Sequence, residues 1–190
     1  IIDRFSDWRD LTADPRKYGF HATLKAPFPL HNASNENELR DACRTFVETP
    51  RPAPQITPVV SALGDFIAVV PDSPSAALAQ LATDCVIAFE PFRAPMTPGD
   101  RARRNPDRLT GRQRQQLDAW GYPYVFDDFR FHLTLTGRLP AERRPDILDA
   151  LRRGFAQLAT KSLAIDRIAL CRQTDKASRF TVLETFALRS

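Results

Sequence analysis

Two histidines stand in near-copies of one short phrase. The stretches YGFHATLKAPF, which starts at Tyr18, and FRFHLTLTGRL, which starts at Phe129, each place an aromatic residue before His and a Thr two positions after it. The chain has three histidines, so two of the three lie in this pattern. Imidazole titrates at about pH 6.5, which lets a histidine donate or accept a proton near neutral pH. The repeated phrase therefore predicts proton-transfer chemistry by His21 and His132.

Both phrases alternate with the period of a β-strand, so that polar side chains fall on one side and apolar ones on the other. The polar side of the first phrase carries His21, Thr23 and Lys25. The polar side of the second phrase carries Arg130, His132, Thr134, Thr136 and Arg138. Each strand is expected to bury its apolar side, and two such strands packed in similar halves would bring both imidazoles and both hydroxyls to one groove.

Such a groove has two interpretations, a metal site and a phosphate site. Histidine is a common metal ligand, but neither polar side offers an Asp, Glu or Cys to complete a coordination shell. Lys25, Arg130 and Arg138 would repel a cation, whereas cations together with hydroxyls suit a phosphate. Two histidines that flank a phosphorus atom can act as general base and general acid in an in-line displacement. Each proton transfer of this kind contributes about 10²–10⁴-fold in rate.

The rest of the chain predicts a repeated order of elements. Helices are expected over 35–49, from Ser73 or Ser75 to Phe89, and over 141–160, where apolar residues recur at helical spacing. Strands are expected over 20–28, 55–62, 65–70, 129–139, 163–171 and 180–188. Each His strand is thus followed by a helix and two strands, which predicts two similar halves of the α+β class.

A long segment that is rich in Pro and Arg joins the two halves. It runs over 90–128 and is expected to contain a short helix over 98–103 and a second helix over 111–120 with Thr110 as its cap. Its basic residues include Arg101, Arg103, Arg104, Arg108, Arg112 and Arg114. A connection of this length is usually functional. We expect it to fold beside the groove and to present Tyr122, Tyr124 or one of these arginines to the ligand.

Composition is typical of a globular protein that handles small anionic ligands. The net charge is +4 and the isoelectric point is about 9.3, which mildly favours an anionic partner. No apolar run reaches the roughly 20 residues of a membrane span, and no signal-peptide pattern opens the chain. The three cysteines, Cys43, Cys85 and Cys171, are odd in number and lie in apolar surroundings. They are expected to be reduced, buried thiols in a cytoplasmic protein.

The chain resembles a known superfamily in these same residues. HATL and HLTL fit the paired His-x-Thr-x motifs of the two-histidine phosphoesterases, which include cyclic nucleotide phosphodiesterases and RNA 2′,5′-ligase-like proteins. The longer stretches RKYGFHATLKAPFPL, FEPFRAPMTP and RLTGRQRQQLDAWGYPYVFDDFRFHLTLTGRL resemble the branch associated with bacterial phosphonate-utilisation operons. The resemblance extends from Leu11 over nearly the whole chain.

The resemblance implies a single bilobal domain over 1–190, with pseudo-twofold symmetry, two antiparallel sheets flanking a central cleft, and helices outside. The N-lobe would cover about 1–90, the connecting segment 91–128 and the C-lobe 129–190. In this family the usual first strand of the N-lobe precedes the region where this chain begins, so we expect the N-lobe sheet to be incomplete here. The resemblance also implies that His21 and His132 form the acid–base pair, that Thr23 and Thr134 donate to phosphoryl oxygens, and that no metal or cofactor is needed.

The resulting expectation is a metal-independent phosphodiesterase that hydrolyses a cyclic phosphate or a 2′-linked phosphodiester, in phosphonate metabolism. Lys25 and Arg130 are candidates to neutralise phosphate charge, and Tyr18, Tyr122 and Tyr124 are candidates to stack on a sugar or base. The expected partner is a small phosphorylated or nucleotide-like substrate and no membrane. One alternative is a nucleotide- or RNA-binding protein with little turnover. A second alternative is RNA 2′,5′-end ligation, which uses the same two histidines in reverse.

Overall fold

The computed structural model describes residues 4–156, 161–175 and 177–189. It confirms the α+β class: within these residues the chain forms helices and three small antiparallel sheets. The helices are α1 (Trp8–Leu11), α2 (Pro15–Tyr18), α3 (Glu36–Glu48), α4 (Ala76–Ala88), α5 (Pro98–Ala102), α6 (Gly111–Trp120) and α7 (Arg144–Phe155). The strands are β1 (Gln55–Ile56), β2 (Pro58–Leu63), β3 (Phe66–Pro71), β4 (Leu133–Thr134), β5 (Leu163–Ala164), β6 (Arg167–Arg172) and β7 (Thr181–Ala187).

The central sheet has the order β2-β3-β4. Strands β2 and β3 form a hairpin in which Leu63 pairs with Phe66, and Gly64 supplies the positive φ of 65° that the tight turn requires. Strand β4 continues the sheet on the other side of β3, with Leu133 opposite Val69. The second His-x-Thr phrase is therefore tied to the hairpin that follows the first one in the sequence.

Two further two-stranded sheets pair β1 with β5 and β6 with β7. The strands expected over 55–62, 65–70, 163–171 and 180–188 are all present. The second is shifted by one residue, as β3, and the other three are shorter or interrupted. The described residues thus form three sheets where the resemblance implied two.

The chain divides into two compact units, each built from segments that are distant in sequence. Unit 1 contains the described residues of Ile1–Thr23, Ala53–Ser75 and Phe131–Thr185. Unit 2 contains those of Leu24–Pro52, Ala76–Arg130 and Phe186–Ser190. Both His-x-Thr triplets belong to unit 1, whereas the connecting segment rich in arginine belongs to unit 2.

The core of unit 1 lies between α7 and the central sheet. In α7, Ile147 and Leu151 are four residues apart and fully buried, as expected for one face of a helix. In the sheet, Val60 lies opposite Val69, and both are buried. The guanidinium of Arg152 donates to the Val60 carbonyl at 3.1 Å, which ties the helix to β2. This burial leaves the other face of the sheet to carry the polar residues of β4.

Unit 2 is organised by α3 and α4. Asn35 caps α3 at the start of the range expected for this helix, since its side chain accepts from the backbone of Asn37 and Glu38 while Glu38 reaches back to the Asn35 amide. Phe46 on α3 packs against Phe89 after α4, with ring centroids 5.3 Å apart. Thr110 caps α6 in the same way, as predicted. These helices match their expected positions because helical spacing and caps are encoded locally.

The cysteines differ from expectation at one position. Cys43 and Cys85 are buried, and burial raises the pKa of the Cys85 thiol to about 12. Cys171, which was expected to be buried, is exposed because it lies on β6, where alternate side chains face outward. None of the three forms a disulfide.

The two His strands are much shorter than predicted. The strand expected over 129–139 is regular only at β4, and the one expected over 20–28 is reduced to a single bridge between Ala22 and Leu133. The amides of Leu135 and Thr136 both donate to the Ile67 carbonyl, at 2.9 and 3.2 Å. Two residues thus face one on β3, which is a β-bulge and ends the alternation.

The helix predicted over 141–160 corresponds to α7, which begins three residues later, and the last part of the predicted range, 157–160, lies outside the described residues. Within the part of the chain that the structure describes, no helix combines the length and apolar character needed to cross a membrane.

Candidate active site

The two His-x-Thr triplets are neighbours in space. Ala22 forms an antiparallel bridge with Leu133, and Leu133 also pairs with Val69 on its other side. In an antiparallel register centred on this bridge, His21 lies opposite Thr134 and Thr23 lies opposite His132. Residues that flank a bridge point to the face opposite the bridged pair, so all four polar side chains are directed to one face.

This polar face is opposite the side of the sheet that packs against α7, and it is covered in part, since Ala68 beside Thr134 is fully buried. Leu133, Val69 and Ile67 are buried, which indicates that the helix covers their face. On the opposite face, Thr134 pairs with Ala68 in the register of β3, and His132 and Thr134 are only partly buried. His21 is exposed. A ligand can therefore approach the four side chains from solvent, while the strands that hold them are anchored by the core behind.

His21 is held by two hydrogen bonds. Its Nδ1 lies 3.1 Å from the Gly19 carbonyl oxygen, and its Nε2 lies 3.1 Å from Oγ1 of Thr23. The hydrogen bond to Thr23 shows that the histidine and threonine side chains of the first phrase are in contact, as their spacing on one strand side predicts. This arrangement fixes the plane of the imidazole and directs Nε2 toward the side on which Thr23 lies.

His132 is held by packing. The ring of Phe66, at the start of β3, lies beside it with centroids 5.6 Å apart and an interplanar angle of 54°. The neighbouring Thr134 belongs to β4 and is fixed by the ladder with β3. The imidazole of His132 is therefore positioned by an aromatic side chain and by its place beside a paired strand.

Thr136 does not share the polar face as the sequence alternation predicted. It is fully buried, and its hydroxyl accepts from the Ile67 amide at 3.0 Å and donates to the Gly137 carbonyl at 2.9 Å. The bulge at Leu135 and Thr136 is the physical reason, because one extra residue reverses the direction of every later side chain. Arg138 lies beyond the bulge and is exposed, 3.5 Å from the Asp65 carboxylate.

Tyr18 lies between His21 and a second aromatic residue. Its ring is 6.0 Å from the imidazole of His21 and 5.2 Å from the ring of Phe180, on which it stacks. The Phe180 amide donates to the Lys17 carbonyl at 2.9 Å, which fixes this contact through the backbone. Tyr18 is about half exposed. It is therefore placed to support the His21 ring and to present its outer edge to a ligand.

Lys25 engages groups of unit 2. Its ammonium donates to the Val86 carbonyl at 2.9 Å and to the Glu90 carboxylate at 2.8 Å, with only 10% of the side chain exposed. Burial lowers the pKa of Lys25, and the hydrogen bond and charge of Glu90 act in the opposite sense. Glu90 also accepts from Arg93 at 2.6 Å. These contacts favour a structural role for the Lys25 ammonium.

The remaining predicted binding residues belong to unit 2. Arg130, the second residue of the second phrase, is exposed and ends the Ala76–Arg130 segment of that unit. Tyr122 and Tyr124 contact each other edge to face, with ring centroids 5.6 Å apart. The guanidinium of Arg104 lies over the Tyr122 ring at 5.1 Å, and Tyr124 is about half exposed. The two tyrosines and Arg104 form one aromatic and cationic surface.

Three arginines of the connecting segment are paired with aspartates. Arg101 binds Asp118 at 2.7 Å, Arg112 binds Asp128 at 2.8 Å, and Arg103 binds Asp100. Two of these aspartates follow their partners by 16 or more residues, so a local charge count could not reveal them. Three of the six arginines of the basic run are thus paired with carboxylates of their own unit.

Sequence reasoning missed three residues around the histidines. Gly19 has φ 72° and ψ −177° and points its carbonyl to His21. Phe66 and Phe180 contribute rings beside His132 and Tyr18. The glycine directly before the aromatic-His pair was the available signal, whereas both phenylalanines come from distant strands. Among the described residues, no three His, Cys, Asp or Glu side chains lie together as a metal site would require.

Comparison with known proteins identifies a family for most of the chain. Residues 23–181 match the family described as "Protein of unknown function (DUF1045)". The chain therefore belongs to this family, in agreement with the resemblance of its long stretches to a branch of phosphonate-associated proteins. The match begins at Thr23 and includes the whole second phrase.

Two bacterial proteins named "Ribose 1,5-bisphosphate phosphokinase PhnN" are similar to the chain. The protein from Janthinobacterium sp. (strain Marseille) is 38% identical over 168 residues, which are 86% of this chain and 37% of that protein. The protein from Laribacter hongkongensis (strain HLHK9) is 34% identical over 132 residues, or 68% of this chain and 30% of that protein. The chain thus spans about a third of the length of these relatives.

Proposed function

We propose that this member of the DUF1045 family is a metal-independent phosphodiesterase, in which His21 and His132 act as the acid–base pair and Thr23 and Thr134 donate to phosphoryl oxygens. The observation that carries the proposal is the bridge between Ala22 and Leu133. Its register directs both imidazoles and both hydroxyls to one open face, although the two triplets are 111 positions apart in the sequence.

The spacing of the four groups suits one phosphoryl centre. Diagonal neighbours in an antiparallel pair lie about 7–8 Å apart, and His21 and His132 are diagonal in this register. A phosphate between them leaves room for a water on one side and a leaving oxygen on the other. The threonines lie opposite the histidines and can each donate one charge-assisted hydrogen bond to a non-bridging oxygen.

The relatives indicate a substrate class. Their name assigns them a kinase activity on ribose 1,5-bisphosphate, and this chain covers about a third of each. The chain itself contains no G-x-x-x-x-G-K-[ST] loop, the motif with which many kinases hold nucleotide phosphates. We infer that the shared region is a separate module, whose reaction precedes the phosphorylation and supplies its substrate.

If the preceding reaction forms ribose 1,5-bisphosphate, the structure of this product limits which substrate that reaction can use. A cyclic phosphodiester that opens to this product must carry its phosphate across O1 and the adjacent O2 of a ribose 5-phosphate. Water forms a new bond to phosphorus, the bond from phosphorus to O2 breaks, and O2 takes a proton. The phosphate then remains on O1, which gives ribose 1,5-bisphosphate. A role of this kind belongs to phosphonate metabolism, as the resemblance of the long stretches implies.

A substrate screen followed by ³¹P NMR tests the proposal. The purified chain, in EDTA, is incubated with 5-phosphoribosyl 1,2-cyclic phosphate, 2′,3′-cyclic nucleotides and 2′,5′-linked dinucleotides. We expect hydrolysis of the cyclic ribose phosphate to a monoester, undiminished by EDTA, and slower or no turnover of the others. A wild-type chain that hydrolyses none of these compounds, with or without divalent metal, would exclude the proposed reaction.

RNA binding with little turnover is the weaker alternative. Binding to RNA through phosphates requires a set of available cations and shows a steep dependence on salt. The pairing of Arg101, Arg103 and Arg112 with aspartates reduces the positive surface that the sequence suggested. A filter-binding assay with single-stranded RNA at low and high salt distinguishes the two functions. The substrate screen also tests RNA ligation when it includes an RNA with a 2′,3′-cyclic phosphate and a 5′-hydroxyl end.

A further inference from the structure

The hydrogen bonds of His21 define which ring nitrogen carries the proton. A backbone carbonyl can only accept, so Nδ1 of His21 must donate to the Gly19 oxygen that lies 3.1 Å away. In the neutral ring, Nε2 then has no hydrogen and accepts from the hydroxyl of Thr23 at 3.1 Å. A neutral imidazole with its lone pair on Nε2 is the form that a general base needs.

The carbonyl of Gly19 reaches this position because of an unusual backbone conformation. A residue at φ 72° and ψ −177° occupies a region that is essentially restricted to glycine. A Cβ at this position would meet no atom within 4 Å. The requirement for glycine therefore comes from the backbone angles alone, and the angles are those that aim the carbonyl at the imidazole.

We propose that His21 is the general base and His132 the general acid, and that Gly19 is a positioning residue that fixes the Nδ1–H tautomer of His21. This assignment rests on the proposed phosphodiesterase function. The assignment starts from His21, whose two hydrogen bonds leave the lone pair of the neutral ring on Nε2. His132, which lies diagonally across the same register beside Phe66, is then the residue left to act as the acid.

The reaction step follows from this assignment. When a phosphodiester binds, the Thr23 hydroxyl turns from Nε2 of His21 to a phosphoryl oxygen and leaves the lone pair available. A water then gives its proton to Nε2 while its oxygen bonds to phosphorus. The bond from phosphorus to the leaving oxygen breaks, and that oxygen receives a proton from the ring of His132. Proton exchange with solvent restores both rings for the next turnover.

Leaving-group dependence separates the acid from the base. A p-nitrophenolate leaving group needs no proton, whereas a ribose hydroxyl does. We expect His132→Ala to lose about 10²–10⁴-fold on the cyclic ribose phosphate but to recover most of wild-type activity on a p-nitrophenyl phosphodiester. His21→Ala should stay slow on both substrates. The reverse pattern, or equal losses for both variants on both substrates, would overturn the assignment.

The tautomer is measured directly by ¹⁵N NMR of the histidine rings at about pH 8.5, which is about two pH units above the usual titration point of imidazole. We expect Nδ1–H for His21 in the wild type and a mixture of tautomers in Gly19→Ala, with kcat lowered roughly tenfold and KM unchanged. Gly64→Ala is the matched control, since Gly64 also has positive φ in unit 1 and open space around its Cβ position. This control should keep both the tautomer and kcat.

An Nε2–H tautomer for His21 in the wild type would overturn the positioning role, whatever the activity. Failure of the proposed phosphodiesterase function gives a different result, namely a wild-type protein that hydrolyses none of the substrates. In that case the wild-type tautomer still shows whether the Gly19 carbonyl sets the ring.

Discussion

The two His-x-Thr phrases have nearly the same residues, and the molecule holds them in different ways. In the first phrase, a single bridge at Ala22 joins the backbone to the sheet, and hydrogen bonds to Gly19 and Thr23 hold the His21 ring. In the second, β4 is paired with β3, and packing beside Phe66 holds His132. A repeated sequence can thus supply the same chemical groups to one face while its two copies differ in how their backbones pair with the sheet.

This difference implies different consequences of mutation in the two phrases. Changes in the first should act mainly on the orientation of catalytic groups, because few backbone contacts depend on them. Changes in the second should also act on stability, because its apolar residues belong to the core of unit 1.

The largest effects are expected at the histidines. His21→Ala and His132→Ala should each lower kcat on the cyclic ribose phosphate by about 10²–10⁴-fold, because each removes one proton transfer. Neither side chain belongs to the core, so thermal unfolding monitored by circular dichroism should change little. A variant that keeps more than a tenth of wild-type activity would remove that histidine from the proposed mechanism.

The two bridged residues, Ala22 and Leu133, should contribute differently to the free energy of unfolding. Leu133→Ala removes a buried side chain and is expected to reduce the free energy of unfolding by about 2–5 kcal/mol. Ala22→Gly on the other side of the bridge should cost only about 0.5–1 kcal/mol. Denaturant titration measures both values. Similar losses for the two variants would mean that the first phrase is as firmly held as the second.

The threonines should have smaller effects on rate than the histidines. Thr23→Ala and Thr134→Ala each remove one hydrogen bond to a charged oxygen, worth about 1.5–3 kcal/mol. Thr23→Ala also removes the partner of Nε2 of His21, so it should broaden the ring orientation, whereas Thr134→Ala should not. Steady-state kinetics of the two variants, with serine at each position as the control, measures this difference. A threonine variant that is slower than both histidine variants would reverse the assigned roles.

The smallest kinetic effect is expected at Lys25. Lys25→Met removes the ammonium that donates to the Val86 carbonyl and to Oε2 of Glu90, which should cost about 1–3 kcal/mol of stability, although Oε1 of Glu90 keeps its hydrogen bonds from Arg93. Arg138→Met, the control in the second phrase, removes an ion pair in which the arginine side chain is 88% exposed, and should have almost no effect on stability. If wild-type Lys25 stays bonded to Glu90 when the substrate is bound, Lys25→Met should have the same KM as the wild type. A raised KM with unchanged stability would support the alternative, in which Lys25 neutralises substrate charge.

The helices could be predicted because their signals are local. Asn35 and Thr110 cap α3 and α6 through residues only three positions away, and the apolar spacing of α7 gave the residues that the sheet buries. The similarity of the two His-x-Thr triplets could also be recognised in the sequence, because it depends on residue types at fixed spacing.

The strands and the charges could not be predicted as well, because their partners are distant in sequence. The bulge at Thr136 depends on hydrogen bonds to Ile67, 69 residues earlier, and alternation alone gives no sign of it. The neutralisation of Arg101 depends on Asp118, which approaches only when α5 and α6 have formed. Lys25 was placed on the polar face by its spacing, but its contact with Glu90 is made across 65 positions.

The central claim is that both histidines serve one phosphoryl site. A titration of ¹⁵N-labelled protein with inorganic phosphate, followed through the ring resonances of His21 and His132, tests it most directly. We predict that both rings shift along the same saturation curve with one Kd, while His31 remains unchanged, and that Thr23→Ala weakens the response of both rings together. Separate curves for the two histidines, or a response of only one of them, would contradict the claim.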